Sequence, residues 1–378
     1  MLLDPSDGEE WLSGAERIWK SDTMRCVLLI DPMGRVIVSD LDSGARFAFD
    51  ERPTVGGAEG RAPARTAAWS ATGQWTAWAL DEEDPDGTRE LRLHIEDRES
   101  NQVLAHATSA FYLYPSPCGR YLSHLSPGPL GLELTVCDVD TGELQIIERG
   151  QPLFWAWSPD AKQLAVHSGD RVLLAGLDHS PPQVLSESAS RFITPWWTPD
   201  GRVIFASDGE LVSADPDGEL IALGISAGAG RFCLDPDGRR MAMLHTEVDR
   251  TSLVIADLLT AEHSTVTTEP IAAFFWSPDA RWLAAVVPAG PSELQWIVSN
   301  GDSVRRLAPF RPSVSWMREV LPYFEQYAHS HAVWSADSRQ LVAPAVDGAG
   351  STHAVVHTVD GPPATEYLPG ARLAWWAD

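Results

Sequence analysis

Seven times along the chain an apolar run ends on a large residue, turns through a short polar segment and resumes as a second apolar run. The clearest copy is Phe154-Trp155-Ala156-Trp157, then Ser158-Pro159-Asp160-Ala161, then Lys162-Gln163-Leu164-Ala165-Val166. Proline fixes φ in the turn, and the aspartate can bond its own backbone, so the unit reads strand, turn, strand. The other copies are Trp69-Ser70-Ala71-Thr72-Gly73, Pro115-Ser116-Pro117-Cys118-Gly119, Trp197-Thr198-Pro199-Asp200-Gly201, Leu234-Asp235-Pro236-Asp237-Gly238, Trp276-Ser277-Pro278-Asp279-Ala280 and Trp334-Ser335-Ala336-Asp337-Ser338. Their first positions lie 46, 42, 40, 37, 42 and 58 residues apart. A period near 40 with several short strands in each period is the pattern of a propeller blade. One small sheet cannot bury both of its faces, so copies stack around an axis, with the large residue wedged between neighbours.

Each copy continues through a short hairpin into outer strands, as in Leu132 to Val139, Asp140-Thr141-Gly142 and Glu143 to Ile147. An earlier set of strands, Arg25 to Ile30, Arg35 to Leu41 and Ala45 to Phe49, adds a first blade. The fold expected is therefore all-β, a single eight-bladed β-propeller over residues 15–378 preceded by a flexible segment 1–14, with seven blades as the alternative. The chain finishes on Ala371-Arg372-Leu373-Ala374-Trp375-Trp376, an inner strand without its partners. It is expected to return to the first blade and close the ring, which removes exposed sheet edges. Trp19 competes with Trp375 for that place; Trp375 lies 41 residues after Trp334 and fits the period better.

The Trp-Ser-Pro-Asp-Gly turn followed by Arg and an apolar strand resembles the WD40-like (PD40) repeat of TolB-type β-propellers. Similar blades occur in the propellers of the tricorn protease and of dipeptidyl-peptidase IV relatives. The resemblance covers nearly the whole chain. It implies the fold and leaves the function open, because such propellers serve many roles. Periplasmic TolB proteins carry a secretory signal. The start of this chain, Met1-Leu2-Leu3-Asp4-Pro5-Ser6-Asp7-Gly8-Glu9-Glu10, is acidic and has neither a basic region nor an apolar core. A cytoplasmic location is expected on that ground.

The chain carries 28 basic and 53 acidic residues, a net charge of −25. Nucleic acid and anionic membranes both select basic surfaces, so neither is an expected partner. No apolar run approaches the roughly 18 residues of a membrane span. Cys26, Cys118, Cys137 and Cys233 are scattered and show no metal-binding spacing; incidental thiols are expected.

The long interval before Trp334 holds an insertion, residues 310–331. Ser313 can cap a short helix there, Trp316, Val320, Phe324 and Tyr327 recur at helical spacing, and Pro322 should kink or split it. It joins one blade to the next on the face where propellers usually bind ligands. Two readings stand. In the first, the insertion offers Trp316, Tyr323, Phe324, Tyr327, His329 and His331 to a partner. In the second, it is a packed plug with His331 bonded to backbone. Glu325, His329 and His331 are too sparse for an expected metal site. Gly224-Ile225-Ser226-Ala227-Gly228 matches a nucleophile pattern, but another blade strand follows where that motif needs a helix. Asp81 to Gly87 resembles a calcium loop without the closing Glu and reads as a solvated hairpin. The expected function is a non-catalytic scaffold or sensor, without a cofactor, that binds a protein or peptide, a basic one included. A hydrolase or lyase at the channel mouth is the alternative.

Overall fold

The repeat builds eight antiparallel sheets in the computed structural model, which describes residues 25–49, 64–83, 89–97, 103–189, 193–227, 231–247, 250–361 and 364–377. Blade I holds Cys26–Ile30, Val36–Asp40 and Arg46–Ala48, and its innermost strand is the last of the chain, Leu373–Trp376. Blades II to VII each contain four strands, a to d, in chain order from the channel outward. Their innermost strands are Ala64–Trp69, Tyr112–Pro115, Leu153–Trp157, Trp196–Trp197, Phe232–Leu234 and Ala273–Trp276. Blade VIII has three regular strands, Gln340–Val346, Thr352–Thr358 and Thr365–Pro369. The architecture is thus the eight-bladed propeller expected from the repeat.

The ring closes as the tail pattern implied. Leu373–Trp376 pairs antiparallel with Cys26–Ile30, Leu29 opposite Ala374. The aromatic position of this strand is Trp376, one residue beyond the sequence assignment. Ala377 N donates to Cys26 O at 2.9 Å, as Ser158 N does to Gln163 O at 2.9 Å after Trp157. Trp19 and the segment 1–14 lie outside the described residues.

The recurring residues have recurring tasks. After strand a, the serine hydroxyl accepts the amide of the incoming strand b and donates to the aspartate two residues on. Ser277 accepts from Trp282 N at 2.9 Å and donates to Asp279 at 2.6 Å; Ser335 does the same with Gln340 N (3.0 Å) and Asp337 (2.6 Å). The tryptophan before the turn reaches the preceding blade. Its indole N–H donates to that blade's strand a: Trp157 to Tyr114 O (3.3 Å), Trp197 to Ala156 O (3.0 Å), Trp276 to Cys233 O (3.1 Å) and Trp334 to Phe275 O (3.1 Å). Each bond stabilises by about 1 kcal/mol beyond the ring's burial. The repeat therefore encodes blade-to-blade stitching as well as blade shape.

The insertion lies between the last two blades, and its flanks show where it springs from. Val346 N donates to Arg311 O and Ser313 N to Pro344 O, while Val342 N donates to Val333 O. Both flanks pair with Gln340–Val346, so they are the two halves of strand a of blade VIII. Residues 314–332 leave this strand, enter the channel and return. Ser313 caps the excursion, accepting from Trp316 N at 3.2 Å and donating to Arg372 O at 2.7 Å. A wide turn, Trp316–Val320, and a tight one, Leu321–Tyr323, precede helix α1, Phe324–Ser330. Pro322 sits in the tight turn, splitting the helix as expected. No described helix is long and apolar enough to cross a membrane.

Candidate functional site

The excursion touches the innermost strands around the wheel, and its side chains divide by task. Trp316 and Phe324 are each 1% exposed. Trp316 packs on Trp296 and Phe310, and Phe324 meets Phe274 edge-on at 4.6 Å. His331 Nε2 donates to Ala67 O at 3.0 Å and its Nδ1 accepts from Ser330 Oγ at 2.6 Å. That pairing fixes a neutral tautomer, and burial pushes its pKa down to about 4. His329 packs on Trp196 with ring centroids 3.8 Å apart and bonds the Pro195 carbonyl; burial lowers its pKa to about 3. Glu325 turns to blade VI, where Arg231 Nε stands 3.6 Å away. Burial raises the Glu325 carboxyl to about 7 against the pull of Arg231. Glu325, His329 and His331 thus face three different blades. Among the described residues no group of three or more His, Cys, Asp or Glu side chains converges on a metal position.

The residue that ties helix α1 to the wheel is Gln326, which the sequence reading passed over. Its Oε1 accepts from Trp155 N and its Nε2 donates to Trp155 O, both at 2.9 Å. Trp155 lies on the channel edge of blade IV, where no further strand exists to satisfy its main chain. The carboxamide supplies the missing donor and acceptor, as a neighbouring strand would. On blade III, the Tyr112 hydroxyl donates to Gln326 O at 2.8 Å.

Two cavities flank the excursion. One, about 650 Å³, opens among the strand a–b turns and is walled by Trp157, Trp196, Trp276 and Trp334 with His329 and His331. The other, about 490 Å³, opens on the d-to-a face beside blades II, III and IV. Its walls include Phe111, Leu125, Leu132, Phe154, Tyr323 and Tyr327. Tyr323 is 51% exposed and Phe111 39%, so the rim carries two accessible aromatic rings. Arg65, Thr66, Gln151, Glu319 and Gln326 punctuate this wall with polar groups. Glu319 lies 3.5 Å from Arg372, and the buried Thr66 hydroxyl has no hydrogen-bond partner among the described residues. The volume falls in the range of clefts that take a small molecule or a few side chains.

Of the six residues named from the sequence, Tyr323 and Tyr327 line the d-to-a cleft, His329 and His331 line the opposite cavity, and Trp316 and Phe324 are packed inside. The other cleft residues come mainly from the starts of strands a, at 65–66, 111–112, 152–154 and 373. The repeat period locates those positions, but they share no residue type that would mark them. Gly224 to Ser226 close the outer strand Leu220–Ser226, Gly228 lies outside the described residues, and Phe232–Leu234 is again a strand. Asp81, Glu82 and Glu83 belong to strand Trp75–Glu83, paired with Arg89–Asp97 as a hairpin; residues 84–88 are outside the described set. Cys26, Cys137 and Cys233 are buried, Cys118 is exposed, and none of the four is in a disulfide.

Comparison with known proteins places the fold. No protein-family model matches the sequence, and no curated protein matches it. Solved structures do. A eukaryotic initiation factor superposes with a TM-score of 0.60 at 13% identity over 94% of this chain and 99% of that one. The dihydro-heme d1 dehydrogenase NirN gives 0.58 at 13% identity over 95% and 76%. The propeller domain of the Trilobed protease from Pyrococcus furiosus gives 0.50 at 13% identity over 84% and 96%. At this identity the likeness is one of fold. It covers enzymes and non-enzymes alike.

Proposed function

We propose that this protein is a non-catalytic propeller that holds a partner protein or peptide on its d-to-a face, in the cleft beside the inserted helix. The observation that carries this reading is the aromatic rim, Phe111 and Tyr323, standing over an apolar cleft of about 490 Å³. Exposed rings above an apolar cavity are the composition of a recognition surface. The wall's carboxylate, Glu319, is turned toward Arg372, which supports binding over acid–base chemistry. The net charge of −25 favours a basic partner, and four cysteines outside any disulfide suit a reducing, cytoplasmic setting.

The test is site-specific photo-crosslinking in native extract. A photoreactive phenylalanine analogue at position 323 should yield a discrete crosslinked partner. The same analogue at 162, in a turn on the opposite face, should not. Equal labelling from both positions, or labelling at 323 that Phe111→Ser does not reduce, would count against the reading.

A further inference from the structure

The cleft floor includes main chain as well as side chains, and strand alternation shows which groups face it. In blade IV, Gly169 N donates to Pro152 O and Ser158 N to Gln163 O. Residues 152, 154, 156 and 158 therefore turn their main-chain groups toward strand b. Residues 153, 155 and 157 turn theirs toward the channel. The Gln326 clamp on Trp155 agrees with this phase. One step further toward the d-to-a face is Leu153, which lines the cleft. Its channel-facing N–H and C=O have no protein partner among the described residues.

Resting on the binding reading above, we propose that the cleft takes its partner as an extended peptide segment. The N–H and C=O of one residue of that segment repeat on Leu153 the two-point contact that the Gln326 carboxamide makes on Trp155. An adjacent apolar side chain of the segment enters the space between Leu125, Leu132 and Tyr327. The chain itself provides the precedent: on this edge, one residue away in phase, an amide already serves as the missing strand. The unpartnered Thr66 hydroxyl gives the segment a further polar contact across the cleft. Such edge addition draws affinity from main-chain bonds and selectivity from the alternate side chain.

The probe is a heptapeptide selected from a displayed library on the intact protein, with Phe111→Ser and Tyr323→Ser as counter-screens. Two readouts follow. Ester replacement of the amide that meets Leu153 should weaken binding roughly three- to tenfold, the size of one hydrogen bond. The Leu153 amide, measured by NMR hydrogen exchange, should be open in the free protein and slow at least tenfold when peptide binds. The Trp155 amide should be protected in both states. A peptide that depends on Phe111 and Tyr323 yet tolerates every ester and leaves Leu153 exchange unchanged overturns the strand-addition mode and leaves the cleft reading intact. Failure to select any peptide sensitive to the two rim variants overturns both.

Discussion

Gln326 offers the sharpest test of how the inserted helix is held. Gln326→Met keeps the side chain's length and apolar stem and removes both polar contacts to Trp155. The Trp155 N–H and C=O are then buried on the channel edge without partners, at about 1–3 kcal/mol each, or about 2–6 kcal/mol together. A chain of 378 residues unfolding as one unit has an unfolding entropy of about 0.8 kcal/mol/K, so the melting temperature should fall by about 3–8 °C. Gln326→Glu adds a sign. The carboxylate accepts from Trp155 N, but it cannot donate to Trp155 O and is buried beside that carbonyl, so its folded pKa lies above the unfolded value of about 4.3. A raised acid costs stability above its folded pKa, and the cost fades as pH falls toward the unfolded value. The protonated acid again offers one donor and one acceptor. Parallel thermal melts from pH 8 to pH 4 should show the gap between Gln326→Glu and the parent narrowing as pH falls, with the Gln326→Met gap nearly constant. A Met variant as stable as the parent, or a Glu gap that widens in acid, would refute the clamp.

Other consequences follow from the same contacts. Trp334→Phe removes the indole N–H that binds Phe275 O and part of a buried ring; it should cost about 2–4 kcal/mol in denaturant unfolding. Glu325, raised to about 7 by burial, costs stability above neutral pH and ceases to do so below about pH 4.5; Glu325→Gln should therefore be as stable as the parent or more so at pH 8, with the difference vanishing near pH 4. Trp316→Ala empties a fully packed site and should cost about 3–5 kcal/mol, whereas Tyr323→Ala should stay within about 0.5 kcal/mol of the parent while weakening partner capture.

The blades were legible because each one repeats a local instruction. Serine and aspartate organise a turn within a few residues, and a tryptophan before it stitches one blade to the last, so sequence neighbours carry nearly all the information. Closure was legible from Leu373 to Trp376 for the same reason, with a slip of one residue where two tryptophans adjoin. The insertion announced itself through the 58-residue interval, Ser313 and Pro322. Its path did not. Arg311 to Ser313 and Val333 to Trp334 are halves of one strand, and only their shared partner, Gln340–Val346, reveals it. The cleft was hidden because its walls come from the first residues of several inner strands, Arg65, Phe111, Pro152 and Leu373, which have position in common and no chemistry. Gln326 looked like an ordinary polar residue on a short helix; its role depends on an unpaired strand edge 171 residues away.

The account rests on residues 314–332 being part of the wheel's packed interior, with the cleft left open beside them. Hydrogen exchange read by mass spectrometry measures this directly. Peptides spanning Phe324 to His331 should exchange as slowly as Gln163–Ser168, an inner strand paired on both sides, and far more slowly than the exposed hairpin at 140–143. Exchange of that segment at the hairpin's rate would mean that the helix is a loose surface loop, and the clamp, the packed channel and the cleft would fall together.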